Sequence, residues 1–232
     1  SAEYTGPLHF VEFWLDVIDE WQRETGRNAL VALSTTKDVQ DAILADAKRA
    51  AVVDIIDIRY WHYKNDGTTY EPLGGLNLAP RQHARLMKVG KVTFNEAYKA
   101  VNEYRTKYPD KAVTYYTQNY PEMNWAVFMA GGSLPSLVVK DQLFMKAASQ
   151  MIPTMVKSDT YKMMVKSGIG AIIYTQSEQK IPVLLENGKY ILRFIDGSTG
   201  ESEIINKAIK GGKTFILKPL SGRQGAYWFE KI

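Results

Sequence analysis

The sequence predicts two unlike parts, an α/β region followed by an all-β region. Three observations predict this. Apolar, strand-like runs alternate with amphipathic helical stretches as far as residue 139. From residue 140 the chain reads instead as short β segments separated by turn residues. The charge also changes sign there: residues 1–139 carry 15 Lys/Arg against 17 Asp/Glu, and residues 140–232 carry 14 against 8. The expected domains are therefore 1–139 and 140–232.

The first helix is predicted from Leu8 to Thr25. Pro7 can open it, apolar residues recur at 10, 11, 14, 15, 17, 18 and 21, and Gly26 stops it. "NALVALST" reads as a buried strand and "KDVQDAILADAKRAA" as an amphipathic helix capped by Thr36 or Asp38. "VVDIIDIRYW" is the next strand, and a long loop with several Gly and Pro residues follows from His62 to Val92. A helix then begins on the capping-box pair Thr93 and Glu96 and ends before Pro109. "KAVTYYTQ" is a strand, "PEMNWAVFMAGG" a short helix and "SLPSLVV" a last apolar segment. Strands joined by helices of this length run parallel. After a Met- and Lys-rich stretch, "GAIIYTQ", "KIPVLLE", "KYILRFID", "KTFILKP" and "GAYWFEK" alternate with Gly-containing turns and predict an antiparallel sandwich.

Composition narrows the chemistry. There is no cysteine, so no disulfide, thiolate metal site or cysteine nucleophile is available. Three histidines without metal-ligand spacing argue against a transition-metal site, and no cofactor is expected. There is no GxGxxG or Walker loop, no HExxH and no GxSxG elbow. No apolar run reaches membrane-spanning length. The basic excess is modest and Lys-dominated, a weak sign of nucleic-acid binding, and nucleic acid is not an expected partner. The chain opens on Ser1 rather than Met, which predicts a processed chain or a piece of a longer one.

The run Arg59-Tyr60-Trp61-His62-Tyr63 directly continues an apolar strand before the turn Asn65-Asp66-Gly67. Parallel α/β folds place their sites beyond the C-terminal ends of strands. This cluster therefore either lines a site or packs beneath the long loop, with Arg59 paired to a nearby Asp. His62 and Tyr60 could orient a carboxylate or meet sugar hydroxyls. Trp61 and Trp125 could stack on a pyranose or fill the core. Lys37 and Asp38, just past a strand, could line the same face, or Asp38 could serve the helix start. Arg81, His83, Arg85 and Lys88 lie close in "APRQHARLMK". They read either as a solvated helix face or as a clamp for an acidic sugar.

Several stretches carry a family resemblance. "EYTGP", "LSTTKDVQDAIL", "DIIDIRYWHY", "LAPRQHARLMK" and "WAVFMAGGSLP", in this order, resemble a family of bacterial glycoside-hydrolase-like proteins with a (β/α)8 barrel and a small β-sandwich. "YILRFIDGSTGE", "IKGGKTFILKP" and "GAYWFEK" resemble that sandwich, which carries a collagen-binding label. The resemblance implies a partial TIM barrel, about the last four or five strand–helix units of eight. The front half would be absent, cleaved away or supplied by a second chain. It also implies a secreted or periplasmic protein acting on polysaccharide or oligosaccharide.

The resemblance extends to the chemistry. Retaining glycosidases use two carboxyl groups about 5–5.5 Å apart. In the larger clan these follow the fourth and seventh barrel strands. Glu3 matches the first place by its order, as general acid/base. At the second place Gln118 stands nearest the strand end, and a carboxamide is no nucleophile. Glu122, a turn further on, is the candidate second carboxyl. Retaining hydrolysis, inverting hydrolysis, and a degenerate barrel that only binds carbohydrate or matrix all remain open.

Overall fold

The computed structural model describes residues 2–3, 7–70, 92–117 and 123–232. They form two compact units, Ser1–Pro135 and Ser136–Ile232. The protein is mixed α/β with several sheets, the largest of them antiparallel with six strands.

In chain order the first unit contains β1 (Ala2–Glu3), α1 (Leu8–Thr25), β2 (Ala32–Ser34), α2 (Lys37–Ala45), α3 (Ala47–Val52) and β3 (Ile55–Ile58). It continues with β4 (His62–Tyr63), β5 (Thr69–Tyr70), α4 (Phe94–Lys107), β6 (Ala112–Tyr115) and α5 (Asn124–Met129). Strands β1, β2, β3 and β6 form one sheet in that order, every pair parallel. Among the described residues this sheet is open, with β1 and β6 at its edges.

Strand alternation gives the sheet two unlike faces. Leu33, Ile56, Ile58 and Val113 point to the helices and are buried in one core with Val11, Leu15, Val39, Ile43, Val101 and Tyr104. The other face presents Ser34, Asp57 and Thr114 in register.

Helix α1 spans the predicted residues. Gly26 ends it at φ 64°, returning its N–H to Gln22 O at 3.0 Å. Val11 and Leu15 face the core, while Phe10, Phe13, Trp14, Val17 and Trp21 form an exposed flank. Their spacing makes a second apolar stripe on one helix.

One long helix was expected after β2, but two form. The Asp46 side chain accepts the N–H groups of Lys48 and Arg49 at 2.9 and 3.4 Å and starts α3 afresh. That draws Val52 into the helix and shortens the strand predicted from it to β3. The predicted loop after His62 begins as a hairpin, β4 against β5. Its turn is fixed by Asp66, which accepts from Thr68 N–H at 2.9 Å, and by Gly67 at φ 80°. Helix α4 carries the predicted capping box of Thr93 and Glu96.

A buried polar network ties these elements together. Gln40 donates to the carbonyls of Leu33 and Asp57 at 2.8 and 2.9 Å and accepts from the Trp61 indole at 2.8 Å. Lys37 bridges Asp41 and Glu103 at 2.8 and 2.9 Å and lies 5.2 Å from the ring centroids of both Trp61 and Tyr104. Tyr104 donates to Asp41 at 2.7 Å, and Tyr63 donates to Glu103. Burial opposes the charge on Lys37, but its two carboxylate partners override that and hold its pKa above the ordinary lysine value. Burial, with help from Glu103, pushes the Tyr63 phenol up to about 12.

The second unit contains α6 (Gln142–Ala148), β7 (Ile152–Thr154), β8 (Tyr161–Lys166), β9 (Gly170–Thr175), β10 (Ile181–Leu184) and β11 (Lys189–Asp196). It ends with β12 (Ser202–Lys210), β13 (Thr214–Leu217) and β14 (Gly225–Lys231). The six-stranded sheet runs β12-β11-β14-β9-β8-β7, and β10 pairs with β13 separately. Ile173, Tyr190, Leu192, Phe194, Tyr227 and Phe229 of the large sheet bury against Ile181, Val183 and Leu217 of the small one. Gly170 allows the closest approach: at φ 133°, a Cβ there would sit 1.9 Å from the Phe229 carbonyl oxygen. Strands β7, β8 and β12 were not foreseen. "YKMMVK" reads as a polar, Met-rich stretch, and β12 is an edge strand with little burial to impose alternation.

Gln40→Ala should destabilise the first unit by about 2–3 kcal/mol, because it removes two hydrogen bonds to backbone carbonyls and leaves a buried indole N–H unpartnered. Urea unfolding followed by tryptophan fluorescence measures this.

Candidate functional site

The polar row across the parallel sheet is the clearest site in the first unit. Glu3 is the register partner of Ser34. Ser34 donates its hydroxyl to Asp57 Oδ2, and Thr114 donates to Asp57 Oδ1 at 2.8 Å. Two residues beyond Asp57, on the same strand face, Arg59 places its Nε 3.1 Å from Asp57 Oδ2. Its guanidinium lies 5.2 Å from the ring centroid of Tyr116, which is two residues beyond Thr114. The row thus stands at the C-terminal ends of β1, β2, β3 and β6, with Arg59 and Tyr116 one step above it.

Local sequence explains the row. Three successive strands each offer one short polar side chain at the same register, in otherwise apolar or small surroundings. Asp57 is buried at 8% exposure, where a lone carboxylate would be costly. Two hydroxyls donate to it, and the Arg59 cation stands beside it as a charge partner. Thr117 continues the polar edge, donating to Asn124 at 2.7 Å from the end of β6 to α5.

The expected site residues divide. Arg59 stands above the row, and Tyr60, half-buried, follows it. Trp61 does not line that edge. At 2% exposure it belongs to the helix-side core, with its N–H given to Gln40. Lys37 is committed to Asp41 and Glu103 beside that core. Asp38 accepts from the Thr36 hydroxyl at 2.5 Å and lies in the first turn of α2. Trp125 is buried at 4% exposure, edge-on to Phe128. Glu3 is described by its strand register alone. Arg81, His83, Arg85, Gln118 and Glu122 lie outside the described residues.

His62 is buried at 4% exposure in β4, with its ring 5.0 Å from that of Tyr70. Its Nδ1 has no hydrogen-bond partner among the described residues. Burial lowers its pKa below the ordinary 6.5; Glu96 pulls upward and Lys64 downward. Among the described residues no group of three or more His, Asp and Glu side chains could hold a metal ion, and no helix is long and apolar enough to cross a membrane.

Sequence reasoning missed Ser34, Asp57 and Thr114. One signal was available: an Asp in the middle of the apolar run "DIIDI". Its partners sit on other strands, and the register that unites them is not written in any local stretch.

A family model described as Domain of unknown function (DUF6298) matches residues 1–151. No curated protein matches the chain. Among solved structures, a glycoside hydrolase family 5 protein from Bacteroides vulgatus ATCC 8482 overlays with a TM-score of 0.57 at 10% identity, covering 93% of this chain and 58% of its own. A second, described as a glycoside hydrolase, has a TM-score of 0.46 at 9% identity, covering 81% of this chain and 54% of its own. The first is a likeness of fold, and the second carries no argument. This chain therefore spans little more than half the length of either. The collagen-binding label gains no support from these matches.

Asp57→Ala should cost about 1–3 kcal/mol of stability, since it removes the shared acceptor of two hydroxyls and the partner of a half-exposed cation. Denaturant titration of the variant checks it. A pH effect follows from His62, whose folded pKa lies below its unfolded value of 6.5. The unfolded chain then binds the proton more readily, so stability is full above 6.5 and falls as pH drops from there through the lowered folded pKa. His62→Phe should flatten that part of a stability–pH curve.

Proposed function

The chain belongs to the family described as Domain of unknown function (DUF6298), and we propose that it is a carbohydrate-active protein whose site lies at the C-terminal edge of the parallel sheet. The observation that carries this reading is the row of Glu3, Ser34, Asp57 and Thr114, in register across four strands. Parallel α/β folds bind ligands beyond that edge. Sugar hydroxyls both donate and accept, and a row in which one carboxylate stands between two hydroxyls, topped by a guanidinium and a phenol, offers partners for both roles. The overlay on a glycoside hydrolase fold supports the reading.

In this reading the reaction is hydrolysis of a glycosidic bond in a polysaccharide. Glu3, as the acid, gives its proton to the glycosidic oxygen while the bond to the anomeric carbon breaks. Glu122 is the candidate second carboxyl, taking a proton from the water that adds to that carbon or attacking the carbon itself. Asp57 is a positioning residue: it holds Arg59 at the edge, where the guanidinium and Tyr116 can meet sugar hydroxyls. Tyr60, which directly follows Arg59, would meet sugar hydroxyls with it, and Arg81, His83 and Arg85 would clamp an acidic sugar.

The open sheet would be the last half of a (β/α)8 barrel. Two features support this. The aromatic flank of α1, including Phe13 at 57% and Trp14 at 46% exposure, is what a neighbouring barrel helix would cover. The glycoside hydrolase neighbour also extends well beyond the matched part.

A second reading is binding without turnover. It is favoured by Gln118, the carboxamide that follows Tyr116 and Thr117 after β6.

Release of reducing ends from a panel of plant and host polysaccharides tests both readings. Turnover that falls about 10²–10³-fold in Glu3→Gln is the result expected of a general acid. Turnover unchanged in that variant removes Glu3 from the mechanism. Glycan binding with no turnover in the unaltered protein selects the second reading.

A further inference from the structure

One end of the second unit gathers lysines. The turn after β8, the turn after β10, the β12–β13 turn and the close of β14 all lie there. Lys166, Lys189, Lys210, Lys213 and Lys231 belong to this end by strand position. Its acids are already engaged. Glu186 takes Lys231 at 2.8 Å, and Glu230 takes Arg193 at 2.8 Å. Lys231, the Ser167 hydroxyl and the Gly168 N–H hold the Glu186 carboxyl at about 2, so it stays ionised and committed. Asp159, Glu178, Asp196, Glu201 and Glu203 lie toward the opposite ends of their strands. The excess of 14 Lys/Arg over 8 Asp/Glu in residues 140–232 is therefore polarised.

Lys189 and Lys210 are direct register partners on adjacent antiparallel strands, and both are exposed. Like charges placed opposite one another destabilise a strand pair. Lys213 follows Lys210 across the Gly211-Gly212 turn. The same end of the unit carries a cavity of about 300 Å³, lined by Val165, Lys166, Ser167, Leu184, Glu186 and Tyr190 among others.

We infer that this end of the sandwich binds an anionic polysaccharide, a chain of uronate or sulfated sugars crossing Lys189, Lys210 and Lys213 with a sugar ring in the cavity beside Lys166. Lysine ammonium groups are compact point charges that meet single carboxylates or sulfates without demanding a planar fork. An anion between Lys189 and Lys210 would relieve their repulsion. Nucleic acid fits less well. Single strands need aromatic platforms, and the exposed large apolar residues of this unit, such as Leu184, Ile204 and Ile216, are aliphatic. The inference concerns the second unit and stands apart from the reading of the first.

The test measures binding of the full chain to dextran sulfate, polygalacturonate, neutral dextran and duplex DNA at several salt concentrations. The two anionic glycans should bind, more weakly as salt rises, and dextran should not. Lys189→Glu should weaken that binding by about tenfold or more, a loss of two charges' worth of attraction. The same variant should melt at or above the unaltered protein, because it faces Lys210 with an opposite charge. Lys218→Glu, at the other end of β13, should bind as the unaltered protein does. Absence of binding to both anionic glycans overturns the inference, as does equal binding of dextran. So does a Lys189→Glu variant that binds undiminished, or a Lys218→Glu variant that loses as much. DNA bound more tightly than both glycans assigns the surface to nucleic acid and overturns it as well.

Discussion

The C-terminal edge of the parallel sheet depends on one buried carboxylate. Asp57 accepts from Ser34 on one side and Thr114 on the other, and holds Arg59 above. Three strands are thereby joined through a side chain as well as through their backbones. A charge at 8% exposure is tolerable only while these partners remain. The arrangement is therefore all or nothing. It also settles the character of the two faces: the polar row needs one face of the sheet, so the apolar residues of β2, β3 and β6 turn to the helices.

On the helix side a different polar group closes the same strands. Gln40 holds the carbonyls of Leu33 and Asp57, and Trp61 follows by donating to Gln40. Asp57 is thus fixed from both faces, by its side chain on one and its carbonyl on the other. Such double anchoring makes this edge of the sheet rigid, as a site for sugar hydroxyls would need to be. The Lys37, Asp41 and Glu103 network does comparable work between α2 and α4, which explains why chemistry-bearing residue types there serve the fold.

Periodicity made the regular elements legible. Leu8–Thr25, the Thr93 and Glu96 cap, and five of the strands in the second unit were readable because each rests on local spacing or a local turn. The break at Asp46 was not, because a single capping carboxylate divided one amphipathic run. Strand β12 was hidden by its exposure, since an edge strand need not alternate. The candidate site was legible in part. Arg59 stands beyond the end of β3, paired with Asp57, while Trp61 takes the core alternative and Lys37 pairs with Asp41 and Glu103 on the helix side. Ser34 and Thr114 were invisible: a hydroxyl in a strand means nothing until register sets it beside Asp57.

The central claim is that sugar sits over the Ser34, Asp57 and Thr114 row. The most direct measurement is a crystal structure of the protein with a bound oligosaccharide. The account predicts sugar density at the C-terminal edge of the parallel sheet, with hydroxyls in contact with Arg59 and Tyr116. Sugar absent from that edge, while bound elsewhere on the first unit, would contradict it.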